Sequence, residues 1–416
     1  MLSGGKGATA LLGLAYLALA TRALGVHYFG VLILIHAYVV VVRDFSAFKT
    51  SQCIVRYGAI CLQNKTPEHF QQLFKFTLLL EIGSAAIGAL IAIVLLPVIG
   101  PSLGLPVETI PLATLYCSII LFDFKSSSIG ILRLFNRFDL LAKQSLVSPL
   151  IRLIGVSISF MTNAGLETFL VIWFLSGIGY TLVSVRSGWY ELKQQGMLNN
   201  MSWRLHNLTE PFPDIWRFVW STNINITLNM TASHMSTLAV GFVLGPVSVG
   251  LFRIAQEAAN ILTKPAQMFT ETIYPEMAKI ATNPEERNLW HIIVRAGLIG
   301  AGAALAVTLV IALFGQTLLA LVFGAEFTDA YSVLLLLMLA GTITMATFSL
   351  DPALYAIGRP ELLMKIKILT SVLHILVTLY LLMLIGLLGA GIAAIVSRTA
   401  TAVLLISCVR KLLKAH

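Results

Sequence analysis

Long apolar runs, each able to cross a lipid bilayer, follow one another along almost all of the 416-residue chain. A helix that spans the hydrocarbon core needs roughly 20 mostly apolar residues. Such runs, separated by polar residues, glycine or proline, fall at 7–24, 28–55, 70–99, 108–134, 140–162, 166–190, 214–241, 247–277, 290–314, 329–356, 362–385 and 389–409. The chain is therefore predicted to be an all-α polytopic membrane protein with about 12 transmembrane helices.

The composition excludes a soluble fold. Hydrophobic residues make up 57% of the chain and charged residues 11%, whereas a water-exposed surface requires about a quarter charged residues. Lipid must cover much of this protein, and the gaps between runs leave no room for a separate soluble domain. The first apolar run passes directly into the second, so it is expected to be a retained helix rather than a cleaved signal peptide.

The basic residues are sorted between alternate loops. The loops after even-numbered spans are rich in Lys and Arg, whereas segments 100–108, 162–167, 315–330 and 386–390 contain neither. By the positive-inside rule, both termini are predicted to be cytoplasmic, with the chain in the cell inner membrane. Topology then accounts for most of the net charge of +9, and no nucleic-acid partner is expected.

An internal repeat predicts two lobes. The one long hydrophilic connection divides the chain into an N-lobe at 1–190, a cytoplasmic linker at 191–213 and a C-lobe at 214–416. Two motifs recur at offsets of 220 and 222 residues, Leu24-Gly25-xxxx-Gly30 with Leu244-Gly245-xxxx-Gly250, and Arg137-x-Asp139-Leu140-Leu141-x-Lys143 with Arg359-x-Glu361-Leu362-Leu363-x-Lys365. Six helices per repeat return the chain to its starting side, so a pseudo-two-fold axis along the membrane normal is predicted.

Polar residues inside the spans mark the candidate site, because a charge in hydrocarbon is expensive unless it faces a cavity or a partner. In the eighth span Arg253, Gln256, Glu257, Asn260 and Lys264 share one helix face, with gaps of three or four residues. Asn225 and Asn229 lie in the seventh span. These residues are predicted to form a polar cavity face.

Two interpretations of the intramembrane charges stay open. They form ion pairs that hold helices together, namely Asp44 with Arg43 or Lys49, Asp123 with Lys125, and Glu257 with Arg253. Alternatively, the surplus of cations binds an anion. The cations Arg43, Lys49, Lys125, Arg152, Arg253, Lys264 and Arg398 outnumber the acids Asp44, Asp123, Glu257 and Glu271. The surplus favours an anionic ligand.

Three motifs resemble one membrane-protein family. They are Arg22-x-Leu24-Gly25-xxxx-Gly30, Ile273-Tyr274-Pro275-Glu276-Met277 and Phe323-Gly324-x-Glu326-Phe327. They resemble the polysaccharide-exporter and O-antigen flippase branch of the multidrug/oligosaccharidyl-lipid/polysaccharide (MOP) superfamily. The resemblance implies a V-shaped, alternating-access transporter. Its implied activity is to move a polyprenyl-diphosphate-linked oligosaccharide from the cytoplasmic to the outer leaflet for surface polysaccharide synthesis, coupled to an ion gradient. Arginines typical of such flippases match Arg22, Arg43 or Arg56, and Arg253.

The hypothesis from sequence has three parts. An anion clamp for the diphosphate comprises Arg22, Arg43, Arg56, Lys125, Arg152, Arg253 and Arg398. Candidates for coupling to Na⁺ or H⁺ are Asp44, Asp123 and Glu257. Beyond the coupling ion no cofactor or bound metal is expected, and the expected partners are the bilayer, the lipid-linked glycan and polysaccharide polymerase or assembly proteins.

Three alternatives remain beside a flippase. A MATE-like cation-coupled drug or metabolite antiporter shares the plan but needs an acidic cavity for its cationic substrate. A membrane-embedded transferase is disfavoured because the sequence lacks HxxxxD and DxD motifs, so no enzyme is predicted. A purely structural role in a polysaccharide assembly complex is the third.

Overall fold

All regular secondary structure is helical over the residues that the structure, a computed structural model, describes: 2–199, 201, 205, 207–282 and 289–415. This described part contains fourteen α-helices and three short 3-10 helices. The α-helices are α1 Leu2–Ser46, α2 Ser51–Gln63, α3 Pro67–Ile99, α4 Ile110–Cys117, α5 Ser126–Leu134, α6 Phe138–Ser145, α7 Val147–Thr162, α8 Leu166–Gln194, α9 Ile215–Thr282, α10 Leu289–Phe323, α11 Tyr331–Thr347, α12 Leu350–Ala356, α13 Pro360–Ile385 and α14 Leu388–Ala415. The 3-10 helices are Val107–Thr109, Ser118–Phe122 and Ala325–Ala330.

Ten helical segments of the described chain are long and apolar enough to cross a membrane. The first, Thr9–Gln63, is 55 residues long and contains the second predicted span and all but the first two residues of the first. Large apolar side chains point outward, for example Leu313 and Val98 with 78% and 74% exposure, and lipid is the solvent that suits them. The chain is therefore an all-α polytopic membrane protein. Twelve spans in two symmetric lobes stay a prediction.

Contacts divide the chain into two compact units. The first comprises Met1–Gly25 and Ile35–His234, and the second comprises Val26–Leu34 and Met235–His416. Each unit has its own apolar core, the first around Ile54, Phe70 and Leu73 and the second around Leu350, Leu354 and Val409. The predicted lobe and linker boundaries stay a prediction.

Several predicted spans are interrupted helices. The second predicted span, 28–55, breaks at 47–50 between α1 and α2. The fourth, 108–134, changes from α4 to a 3-10 helix and breaks at 123–125 before α5. Non-helical backbone at membrane depth requires replacement hydrogen bonds, since lipid supplies none. Polar side chains therefore gather at both breaks.

The two longest helices each bend at a glycine of the predicted repeat. Gly25 in α1 has φ 68° and ψ 174°, and Gly245 in α9 has φ 78° and ψ −177°. A positive φ is readily adopted only by glycine, since other residues carry a Cβ. The two copies of the first repeated motif therefore have the same local backbone conformation.

The two bends satisfy the freed backbone N–H in different ways. After Gly25, the N–H of Val26 donates to Oε2 of Glu326 at 3.0 Å. At the equivalent position after Gly245 stands Pro246, which has no N–H to satisfy. Next to this cap, the Phe327 ring meets Phe29 edge to face with centroids 5.9 Å apart. The Phe-Gly-x-Glu-Phe motif thus caps and packs the helix segment that begins at Val26.

We expect E326A to destabilise the protein by about 1 kcal/mol, the usual cost of losing a helix cap. E326Q should lose less, because its amide oxygen still accepts from Val26. The internal control is V26P, which copies the arrangement at Pro246 and removes the donor. Thermal unfolding in detergent would measure all variants. If E326A is as damaging in the V26P background as alone, Glu326 does not act through this N–H.

The second repeated motif also has the same backbone conformation in both copies. The residue before each arginine has a positive φ, 56° at Asn136 and 77° at Gly358. The N–H of Arg137 donates to the Leu132 carbonyl at 2.7 Å, and the N–H of Arg359 to the Leu354 carbonyl at 3.0 Å. Both are helix C-terminal turns that reverse the chain into the next helix. The 222-residue offset thus relates two turns of the same kind.

Candidate functional site

Polar residues at the two helix breaks of the first unit supply the missing backbone hydrogen bonds. At the first break, the N–H of Phe48 donates to Ser84 Oγ at 3.2 Å and that of Lys49 to Asn223 Oδ1 at 2.9 Å. The N–H of Ser51 donates to Ser126 Oγ, at the second break, at 3.0 Å. The breaks are therefore built features, held against α3, α9 and α5.

Five charged side chains meet at these breaks, and we call them the charge cluster: Arg43, Asp44, Lys49, Asp123 and Lys125. Asp44 Oδ1 lies 3.2 Å from both Arg43 Nη2 and Lys49 Nζ. Asp123 Oδ2 lies 3.7 Å from Arg43 Nε and 3.9 Å from Lys49 Nζ, and Asp123 also pairs with Lys125. Three cations and two acids leave +1.

The acids and the cations of the charge cluster differ in their exposure. The side chains of Asp44 and Asp123 are 3% and 8% exposed, whereas those of Arg43 and Lys125 are 30% and 21% exposed. The acids hold the cluster together from inside, and the cations face outward. The cluster therefore presents positive charge to whatever approaches it.

A cavity of the first unit lies against the charge cluster. It is small and is lined by Arg43, Asp123, Lys125, His36, Tyr116 and Thr181, with aliphatic and aromatic neighbours. His36 Nδ1 and the Tyr116 hydroxyl are hydrogen-bonded at 2.9 Å. Polar and charged side chains thus converge on this cavity from several elements of the first unit, as they do in ligand sites.

Arg152 is a further cation near this cavity, and its hydrogen-bond partners are neutral. Its Nε donates to Ser176 Oγ at 2.9 Å and its Nη1 to the Tyr16 hydroxyl at 3.3 Å. The guanidinium lies 4.8 Å from the centroid of the Trp173 ring. In the described part of the chain, it has no carboxylate within ion-pair distance. Arg152 and Arg43 both lie within electrostatic range of Tyr116, a cavity residue.

Two ion pairs lie among the described residues of the second unit. Arg253 Nη2 and Glu257 Oε1 are 2.5 Å apart on α9. Lys367 and Asp351 are also 2.5 Å apart. His374 is hydrogen-bonded through Nε2 to Ser236 and through Nδ1 to Ser397, each at 3.1 Å. His374 on α13 therefore links α9 and α14 by hydrogen bonds.

The predicted polar face of α9 is partly described. Arg253 Nε and Gln256 Oε1 are buried and have no hydrogen-bond partner among the described residues. Asn260 and Lys264 are exposed. The side chains of Asn225 and Asn229 lie outside the described residues, as do those of Gln267 and Glu271.

The structure sorts the predicted anion clamp into different surroundings. Arg43 and Lys125 line the cavity, and Arg152 stands near it. Arg22 and Arg56 are exposed, and the Arg56 guanidinium lies 4.6 Å from the Phe218 ring centroid. Arg253 and the exposed Arg398 belong to the second unit. All the ion pairs considered from the sequence are present, including Glu257 with Arg253.

Glu81 was missed by the sequence reasoning. It is a single carboxylate within the apolar third span, preceded by Leu78, Leu79 and Leu80, and it is 1% exposed. An ionisable residue inside a transmembrane segment is itself a signal of function. That signal was available, but no charged residue lies three or four positions from Glu81 on α3 to draw attention to it.

Solved structures share the fold of this chain. A multidrug resistance MATE family transporter of the MOP superfamily, in an inward-facing conformation, superposes with a TM-score of 0.78 at 16% identity, covering 98% of this chain and 95% of that one. The lipid II flippase MurJ, in an inward closed conformation, superposes with a TM-score of 0.73 at 16% identity, covering 98% and 87%. The fold is that of MOP superfamily transporters.

Sequence comparison gives the family. The family model described as polysaccharide biosynthesis protein matches residues 18–289. Inner membrane protein YghQ of Escherichia coli (strain K12) is 33% identical over 330 residues, which cover 78% of this chain and 91% of that protein. The chain therefore belongs to the polysaccharide biosynthesis protein family, and the resemblance seen in its motifs is confirmed. The probable low-salt glycan biosynthesis flippase Agl15 of Haloferax volcanii is 23% identical over 172 residues, 41% of this chain and 36% of that protein.

Proposed function

We propose that the protein is a flippase that moves a polyprenyl-diphosphate-linked oligosaccharide across the cell inner membrane by alternating access. The observation that carries this proposal is the cavity against the charge cluster, where the cations are partly exposed and the acids are buried. Transport rather than catalysis is supported by the family and by the MOP superfamily fold.

The chemistry of the cavity suits a diphosphate. Arg43 offers a planar fork of N–H donors that matches phosphate oxygens, and Lys125 adds a compact positive charge. Arg152 uses Nε and Nη1 on Ser176 and Tyr16, which leaves further N–H groups of its guanidinium for a ligand. The sugar would meet the polar groups of the cavity while the prenyl tail stays in lipid.

The net charge around the cavity and the two helix breaks supports an anion even when Glu81 is counted. Arg43, Lys49, Lys125 and Arg152 give +4, and Asp44, Asp123 and ionised Glu81 give −3, which leaves +1. The names of two similar proteins point the same way, one a probable glycan biosynthesis flippase and the other a lipid II flippase. Cytoplasmic termini and an association with polymerase or assembly proteins belong to the same proposal.

A MATE-like antiporter is the second candidate, and the TM-score of 0.78 with a MATE transporter favours it. A cationic drug in the cavity would approach the half-buried side chains of Arg43 and Lys125, and like charges repel. The charge cluster thus supports the flippase over the antiporter.

We expect R43A and R152A each to slow flipping of a labelled polyprenyl-diphosphate-linked sugar by at least about tenfold in proteoliposomes, because a hydrogen bond to a charged group contributes about 1.5–3 kcal/mol. In R43A, Asp44 keeps Lys49 and Asp123 keeps Lys125, so the fold should survive. R152K should recover only part of the rate, since lysine lacks the planar fork.

The matched control is R186A, which removes one charge from an exposed position on α8 and should flip at the wild-type rate. Normal flipping by both R43A and R152A would contradict the anion site. Ion-driven drug efflux without flipping by the wild type would establish the antiporter instead.

A further inference from the structure

Glu81 of α3 joins the two helix breaks of the first unit. Its Oε2 accepts from the N–H of Ser126 at 3.1 Å and its Oε1 from the N–H of Ser127 at 2.7 Å. Oε1 also accepts from the hydroxyls of Thr50 and Ser127. Thr50 closes the break at 47–50, and the two serines begin α5 after the break at 123–125. One carboxyl group therefore ties both breaks to α3.

The partners of Glu81 differ in kind from those of the other intramembrane acids. Asp44, Asp123 and Glu257 each form an ion pair with arginine or lysine. Protonating them would leave a cation without its counter-charge, which is expensive. Within the described residues, Glu81 has only hydrogen-bond donors and no cation at ion-pair distance. A proton can therefore be added to Glu81 without leaving a cation unpaired.

The donors around Glu81 favour a proton over a metal ion. Two backbone N–H groups point at its oxygens, and a cation at those positions would meet hydrogen atoms rather than lone pairs. The Thr50 and Ser127 hydroxyls lie 3.1 Å apart, and a hydroxyl can both donate and accept. When Glu81 is ionised, both hydroxyls donate hydrogen bonds to it. When Glu81 is protonated, one of the hydroxyls can accept a hydrogen bond from its O–H group.

The charge cluster adjoins the two helix breaks that Glu81 ties to α3. Arg43, Asp44 and Lys49 come from α1 and its break, and Asp123 and Lys125 come from the segment before α5. Lys49 and Lys125 lie within electrostatic range of Glu81. A change in the charge of Glu81 therefore acts directly on the cations that line or adjoin the cavity.

We propose that Glu81 is a proton-binding site whose protonation loosens the hold of α3 on the helix breaks at 47–50 and 123–125, and so moves the cations of the charge cluster. This coupling role rests on the proposed flippase function. The proton site itself stands on the geometry around Glu81. It differs from the coupling acids predicted from sequence, since Asp44, Asp123 and Glu257 are held by cations.

The first test needs no substrate. Amide hydrogen exchange of segments 47–50 and 123–127 would be measured in the purified full chain at about pH 5.5 and about pH 8.5, with intrinsic rates corrected for pH. We expect the wild type to exchange faster in both segments at low pH, and E81Q, a neutral mimic of the protonated side chain, to exchange fast at both values. The control E108Q, at an exposed position, should behave as wild type. Corrected exchange that is independent of pH in the wild type would overturn the proposal.

The second test separates the proton site from the flippase function. In proteoliposomes, an imposed pH gradient should accelerate wild-type flipping by up to about tenfold per pH unit, leave E81Q flipping at a gradient-independent rate, and act normally on E108Q. Wild-type flipping that ignores the gradient would overturn proton coupling and leave the flippase function intact. If the wild type does not flip the lipid, the proposed function fails, and the exchange measurement alone decides whether Glu81 binds the proton.

Discussion

Replacing Gly30 with alanine is expected to destabilise the protein by about 3 kcal/mol, at the upper end of the usual cost of overpacking. A Cβ at Gly30 would lie 1.8 Å from the carbonyl oxygen of Pro246. The obstacle is backbone, so the helix segments after the two bends, which meet within the second unit, would have to separate. Thermal unfolding in detergent would show the loss as a large decrease in Tm.

The repeat supplies a graded comparison for this prediction. Gly250 is the equivalent residue, and its added Cβ would lie 2.7 Å from the Val26 carbonyl oxygen, so G250A should be damaging but less so than G30A. G83A is the control, because nothing lies within 4 Å of an added Cβ on α3, and alanine should leave stability unchanged or raise it by about 0.5–1 kcal/mol. Equal unfolding temperatures for G30A and G83A would contradict the close crossing.

D123A is expected to cost about 3–5 kcal/mol, the range for removing one partner of a buried ion pair. Asp123 contacts all three cations of the charge cluster, Arg43, Lys49 and Lys125. Without it, Asp44 alone would face three positive charges. The same unfolding assay measures the effect, together with the yield of folded protein after detergent extraction.

A double-mutant cycle keeps this prediction falsifiable. D123A/K125A removes the acid together with the cation that pairs with it most closely, and it should be more stable than D123A alone. D123N, which keeps the size but loses the charge, should resemble D123A, because charge rather than packing is at issue. If D123A/K125A shows the sum of the two single losses, the pair is not coupled.

Local patterns were enough to predict much of this fold. The length of the apolar runs identified the helices, because a segment that crosses lipid must hydrogen-bond its own backbone polar groups. The glycine motif located both bends, since the freedom of Gly25 and Gly245 at positive φ is a property of the residue itself. The pair Arg253 and Glu257 followed from helical spacing, which brings residues i and i+4 together on any helix.

The features missed from sequence depend on contacts between distant segments. The interruptions within the second and fourth predicted spans were not predicted, because their replacement hydrogen bonds come from other helices. Glu326 caps an N–H that is 300 residues away, and Arg43 meets Asp123 across 80 residues. No periodicity in the chain encodes such pairs.

The sequence by itself determined that the chain crosses the membrane in many helices, that it contains a repeat, and that the charged residues singled out in its spans include more cations than acids. Only the tertiary structure decided which cations are presented to a cavity and which acids are buried beneath them. It alone placed Glu81 of α3 among hydrogen-bond donors from the two helix breaks. The physical reason is that span formation and charge content are properties of single segments, whereas exposure and hydrogen bonding of a side chain depend on which helices pack around it.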